Sequence, residues 1–166
     1  VYYKTLYAPA SWAYKTITLK FEGVYQNAAV YVNSQLAARC AYGYSTFYVP
    51  LNDFLRYGEE NAIRVLVRTG DMPNSRWYSG SGIYRDVYLL EGGLIHVAET
   101  GVRISTRECA DDALLAAATP IRNRSHRAVP CEVLTQILDA DGNVVATEKT
   151  PVFLKGGSSE TIDQRI

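Results

Sequence analysis

Apolar and polar residues alternate with a period of two along most of the chain, the pattern of half-buried β-strands. In Thr16 to Glu22, Ile17, Leu19 and Phe21 alternate with Thr18 and Lys20. Val30 and Val32 repeat the pattern around Tyr31 and run into an Asn33-Ser34 turn; Phe47, Val49 and Leu51 repeat it again. Asn52-Asp53 suits a short helical turn, and Gly58-Glu59-Glu60-Asn61 reads as a break before Ile63, Val65 and Val67. Ile83, Val87 and Leu89 belong to one further strand, after which Glu91-Gly92-Gly93 offers a flexible joint and the expected domain boundary, giving domains 1–92 and 93–166.

Beyond the joint, strand-like stretches run over Val97 to Thr106, Ala113 to Thr119, Val129 to Asp139, Val144 to Val152 and Ser159 to Ile166. Ala113 to Ala118 is helical by propensity, but its place between strands favours β. Asp139-Ala140-Asp141-Gly142-Asn143 predicts a hairpin loop, since Asp, Asn and Gly tolerate left-handed backbone; it lacks the spaced oxygen ligands and flanking helices of a calcium loop. The fold class is all-β, and the strand spacing suits a β-sandwich in the first part and an immunoglobulin-like sandwich in the second.

Composition narrows the function classes. The 166 residues carry 17 basic and 17 acidic side chains, so no basic stripe offers itself to a nucleic-acid backbone. No apolar run approaches the ~18 residues of a membrane-spanning helix. Cys40, Cys109 and Cys131 are widely spaced, which fits reduced, semi-buried fillers better than a disulfide framework or a zinc site. No cofactor is expected, because Ser79-Gly80-Ser81-Gly82 lacks the Lys and the strand-to-helix context of a phosphate loop. His96 and His126 stand apart from each other and from the cysteines, and Asn123-Arg124-Ser125 fits a glycosylation pattern but reads better as a strand-end turn.

The densest unusual segment is Asp71-Met72-Pro73-Asn74-Ser75-Arg76-Trp77-Tyr78-Ser79-Gly80-Ser81-Gly82-Ile83-Tyr84-Arg85-Asp86-Val87. It makes a long loop between strands yet holds Arg76, Trp77 and Tyr78. An aromatic ring suits the C–H face of a sugar, and Arg or Asn forks suit hydroxyl pairs, so the chemistry is compatible with a carbohydrate-facing loop. Packing of Trp77 onto its own loop is the plainer reading of the same residues.

This segment from Asn74 to Val87, together with Phe21-Glu22-Gly23-Val24, Ala29-Val30-Tyr31-Val32-Asn33, Gly43-Tyr44-Ser45-Thr46-Phe47 and Asn61-Ala62-Ile63-Arg64-Val65, resembles glycoside hydrolase family 2, the β-galactosidase-like enzymes. Ile121-Arg122-Asn123-Arg124-Ser125 and Leu138-Asp139-Ala140-Asp141-Gly142-Asn143-Val144-Val145 resemble the family's second, immunoglobulin-like region. The resemblance implies a galactose-binding-like jelly-roll sandwich followed by an immunoglobulin-like β-sandwich, with outer strands missing at both ends. It also implies a catalytic TIM barrel elsewhere in the parent chain.

The family's two catalytic glutamates, ~5 Å apart in a retaining enzyme, sit on that barrel, so no residue here inherits a catalytic role. By the resemblance the stretch Asn74 to Trp77 approaches the barrel mouth, making Arg76, Trp77 and Asn74 the candidate substrate-binding residues, with Asp71 the weaker fourth. Some relatives hold galactose and a sodium ion through an Asp of this loop. Ser75-Arg76 before Trp77 departs from their pattern, so no metal is carried over. Arg85 and Asp86 read as a structural ion pair. The expected partners are the barrel of the same chain, a β-galactoside, and further copies recruited by cropped strand edges, with neither nucleic acid nor membrane. The competing reading is a free-standing carbohydrate-binding or adhesion module.

Overall fold

A computed structural model describes residues 1–70, 78–109 and 113–166, without the side chains of 108 and 109. The chain forms two compact units, Val1–Gly93 and Leu94–Ile166, both built of antiparallel strands. Among the described residues, no helix is long and apolar enough to cross a membrane.

In the first unit, β1 (Tyr2–Ala8), β7 (Glu59–Leu66), β4 (Ala28–Val32) and β5 (Gln35–Cys40) form one sheet in the order β1-β7-β4-β5. A second sheet has the order β6-β2-β9, from β6 (Phe47–Pro50), β2 (Thr16–Phe21) and β9 (Val87–Gly92). A short ribbon pairs β3 (Val24–Tyr25) with β8 (Gly82–Ile83). Inward residues of the two sheets make one core: Val30, Val32, Ile63 and Val65 from the first, Ile17, Leu19, Phe21 and Val49 from the second. Phe21 stacks on Phe47 with ring centroids 4.8 Å apart.

Several elements depart from the alternation. The outward Thr18 is buried, with Pro50 and Leu90 opposite it on β6 and β9. Asn61 does not break the chain. It lies inside β7 and is fully buried, its amide engaged by the loop that precedes the strand. The single strand expected over Ile83, Val87 and Leu89 is two, β8 and β9, with Tyr84 to Asp86 between them. Asn33 and Ser34 both take positive φ, 48° and 69°, which gives the tight hairpin between β4 and β5 the twist it needs. Asn52 replaces missing ladder partners by accepting from Ile17 N–H at 3.0 Å and donating to Lys15 C=O at 2.7 Å.

In the second unit, β12 (Ala113–Asn123) is central. One edge of it pairs with β15 (Ser159–Arg165), and the other is shared by β10 (Ile95–Val97) and β11 (Arg103–Cys109). A turn in which Gly101 N–H meets Ala98 C=O at 2.9 Å, with Gly101 at φ 73°, splits the strand expected over Val97 to Thr106. That split explains why β12 continues through Pro120. In a strand a residue's N–H and C=O face the same neighbour, and Pro120 C=O accepts from Ala98 N–H at 2.7 Å. The missing proline donor therefore faces the interruption rather than a ladder.

A hairpin of β13 (Val129–Leu138) and β14 (Val144–Leu154) completes the unit. Its core cluster is Ile121, Val133 and Leu154, and Gln164 of β15 ties in the hairpin, accepting from Thr135 Oγ1 at 2.6 Å and donating to Val133 C=O at 3.1 Å.

The loop Asp139 to Asn143 is the expected hairpin connection. Asp139 accepts from the N–H of Asp141 (2.9 Å) and of Asn143 (2.8 Å), while Gly142 takes φ 87°. The bonds from Asn143, led by its side-chain amide, hold the Asp139 carboxyl below its usual pKa. Because the folded value is the lower one, this support is complete above the unfolded carboxylate pKa and disappears as pH falls through the folded value. An acid titration by NMR is therefore expected to show Asp139 protonating later than a free aspartate, with the amides of Asp141 and Asn143 moving on the same curve. The Asn123 side chain is buried and its amide is engaged, which agrees with a turn role and not with glycan attachment.

Candidate functional site

One end of the first unit gathers four tyrosines around glycines. Beyond residue 77 the chain returns through Ser79-Gly80-Ser81 to β8, which pairs with β3 as Val24 with Ile83 and Tyr25 with Gly82. Gly82 has φ 89°, and a Cβ there would collide with the Tyr2 hydroxyl, which accepts from Ile83 N–H at 3.2 Å. Both constraints require glycine.

The Tyr84 ring lies against Gly23 and Gly80: a Cβ on Gly23 would be 2.6 Å from its Cζ, and one on Gly80 would be 3.2 Å from its Cβ. Its hydroxyl donates to Gly43 C=O at 2.8 Å. Gly43 is buried beneath the ring of Tyr25, and Tyr25 lies 5.2 Å from Tyr44, centroid to centroid. Tyr42 meets Tyr44 edge-on at 5.7 Å. The Tyr44 hydroxyl is 3.0 Å from Ser79 Oγ, so the cluster holds the returning end of the 71–87 segment. Tyr42, Tyr44 and Tyr78 remain exposed at this end of the unit.

Rings and hydroxyls of this kind stack and hydrogen-bond, which suits them to holding a loop or a ligand. Among the described residues, no three His, Cys, Asp or Glu side chains converge as a metal site would require.

Asp71, Asn74, Arg76 and Trp77 lie outside the described residues. Arg85 and Asp86 are described, and they do not form the expected ion pair. The Arg85 guanidinium lies over the Tyr84 ring at 5.6 Å, while Asp86 accepts from the Tyr88 hydroxyl at 3.1 Å and raises the pKa of that phenol. They lie in the bend between β8 and β9, where each meets a different aromatic neighbour. Sequence reasoning did not single out Tyr25 or Tyr42; Tyr44 and Tyr84 fall within stretches that carry the resemblance, Gly43 to Phe47 and Asn74 to Val87, with no role assigned to either.

Tyr84→Phe removes the bond to Gly43 while keeping the ring. It is expected to cost about 1 kcal/mol and to speed amide exchange of residues 79–83, measured by hydrogen exchange; unchanged exchange would show that the ring alone holds the loop.

Residues 1–92 match the sequence profile described as glycosyl hydrolases family 2, sugar binding domain. Over 166 aligned residues the chain is 34% identical to a β-galactosidase, BoGH2A, of Bacteroides ovatus, an alignment covering 99% of this chain and 20% of that protein. It is 30% identical to a β-glucuronidase of Bacteroides fragilis, over 95% of this chain and 24% of that one. A crystal structure of a family 2 member from Bacteroides cellulosilyticus superimposes with a TM-score of 0.89 at 30% identity, over 98% of this chain and 22% of that one. A Bacteroides uniformis β-glucuronidase superimposes with a TM-score of 0.91 at 26% identity, over 99% of this chain and 21% of that one. The chain thus spans about a fifth of the length of these relatives. The profile match over its first 92 residues and the superposition of its sandwich agree, and the chain belongs to glycosyl hydrolase family 2.

Proposed function

We propose that the chain is the non-catalytic front part of a retaining β-galactoside hydrolase, a sugar-binding domain (1–92) followed by an immunoglobulin-like domain (93–166). It braces a catalytic TIM barrel carried elsewhere in the protein and lines one wall of the barrel's sugar subsite. Asn74, Arg76 and Trp77 provide the sugar contacts, with Asp71 the weaker fourth candidate. The observation that carries this reading is the Tyr25-Tyr44-Tyr84 cluster, which clamps the end of the very segment the resemblance points to and leaves Tyr42 and Tyr78 exposed beside it. The 34% identity to a β-galactosidase over nearly the whole chain supports the galactoside.

In the full-length protein, Arg76→Ala and Trp77→Ala are each expected to raise KM for an aryl β-galactoside about tenfold, equivalent to roughly 1.4 kcal/mol of lost sugar contact. Both variants retaining the original KM and kcat would remove the loop from the subsite, and a preference for an aryl β-glucuronide would overturn the galactoside. The edge strands β1 and β9, with Tyr2, Val87 and Leu89 around an apolar cavity of about 390 Å³, are sites for strand pairing between copies of the isolated chain. Light scattering at high concentration is expected to show self-association; a clean monomer would contradict it.

A further inference from the structure

The outer face of the β1-β7-β4-β5 sheet carries a pocket of about 420 Å³ that the glycine-tyrosine end does not use. It follows from the cross-strand register. Ala29 on β4 stands between Arg39 on β5 and Leu66 on β7, and its single methyl leaves a hollow where the neighbouring positions carry long side chains. Arg39 and Arg68 stand on its walls, with Tyr31 and Asn27 completing them. Arg64 lies over the Tyr31 ring, 4.5 Å from guanidinium carbon to centroid, so a third positive charge adjoins the hollow.

None of these three arginines has a carboxylate within ion-pair distance among the described residues, and no Asp or Glu lines the pocket. Positive charges on the walls of one hollow, with no carboxylate among its lining, favour an anion there. The planar donor fork matches a carboxylate with two parallel hydrogen bonds. The volume falls in the range that holds a small ligand, roughly 300–1,000 Å³, and Ala29 and Leu66 offer apolar surface beside the charge.

We infer that this pocket binds an acidic sugar, with Arg39 and Arg68 gripping the carboxylate and the ring lying over Ala29 beside Tyr31. The inference does not depend on the loop reading above, since it uses different residues. It makes the first unit a second point of attachment, one that would retain a charged stretch of polysaccharide near the enzyme.

The test is an NMR titration of the 166-residue chain with sodium glucuronate, glucose and sodium acetate, following the amides of residues 27–29, 39–41 and 66–68. Glucuronate is expected to give saturable shifts there. Glucose, which differs from it only in carrying CH2OH in place of the carboxylate, is expected to give none, and acetate to bind at least tenfold more weakly. Arg39→Ala and Arg68→Ala should each weaken glucuronate at least tenfold. Ala29→Phe, which fills the hollow without removing charge, should abolish the shifts. Equal responses to glucuronate and glucose would overturn the charge reading, equal affinity for acetate would overturn the sugar reading, and no shift with glucuronate would overturn the site. Because residues 71–78 are not among the amides followed, failure here leaves the loop reading standing, and the reverse.

Discussion

Asn61→Ala is expected to destabilise the first unit by about 4 kcal/mol. The side chain is fully buried, and all four of its hydrogen-bonding positions are used. Its Oδ1 accepts from Arg56 N–H at 2.8 Å and from Asn33 Nδ2 at 2.7 Å, and its Nδ2 donates to Arg56 C=O at 3.0 Å and Glu59 C=O at 3.1 Å. Asn33 extends the network by donating to Phe54 C=O at 2.8 Å and accepting from Ala62 N–H at 3.1 Å. One amide thus joins the β4–β5 turn, the segment before β7 and the start of β7.

Alanine strands four polar groups at about 1 kcal/mol each, a large share of the 5–15 kcal/mol that holds an ordinary domain together. For a unit of this size that corresponds to a fall in Tm of roughly 16–32 °C at 4–8 °C per kcal/mol, read by thermal melting. A loss below about 1 kcal/mol, the value of a single ordinary hydrogen bond, would show that the network is not what closes this end of the sandwich.

Asn123→Ala is expected to do comparable damage in the second unit, about 3–4 kcal/mol. Asn123 Nδ2 donates to the carbonyls of Arg127 (2.9 Å), Lys155 (3.1 Å) and Leu154 (3.3 Å), and Oδ1 accepts from Ser125 N–H (2.9 Å) and Ser125 Oγ (2.6 Å). The end of β12 is thereby fastened to the turn after it and to the end of β14. The apolar cluster here is small, Ile121, Val133 and Leu154 with four partly buried neighbours, so this polar centre carries a larger share of the unit's stability.

Gly156 packs into the same place: a Cβ on it would lie 2.6 Å from His126 C=O, so the chains approach too closely for any other residue. Urea unfolding followed through second-unit amides should show the loss, with the amide of Gly157, which donates to Ser125 C=O at 2.9 Å, exchanging early. Retained protection of Gly157 would contradict this assignment.

The two centres show where reading the sequence stops. The all-β class and the position of many strands along the chain follow from local alternation, which is why β2, β4, β6, β13 and β14 lie close to where the pattern puts them. Strands β1 and β5 were not anticipated, since exposed edge strands need not alternate in polarity. Asn61 has the composition of a turn, and only its partners on Asn33 and Arg56, distant in sequence or on a loop, turn it into a core residue. Pro120 likewise reads as a stop unless the gap between β10 and β11 is known. At the candidate site the glycine-rich segment was legible because its residue types are unusual, whereas Tyr25, Tyr44 and Tyr84 come from three separate stretches that only the fold brings together.

The measurement that tests the account most directly is release of aryl alcohol from an aryl β-galactoside and an aryl β-glucuronide by the purified 166-residue chain. The account predicts a rate equal to buffer alone for both substrates. Sustained turnover that co-purifies with the folded chain and is lost when it unfolds would contradict it, because the chain would then carry catalytic groups of its own.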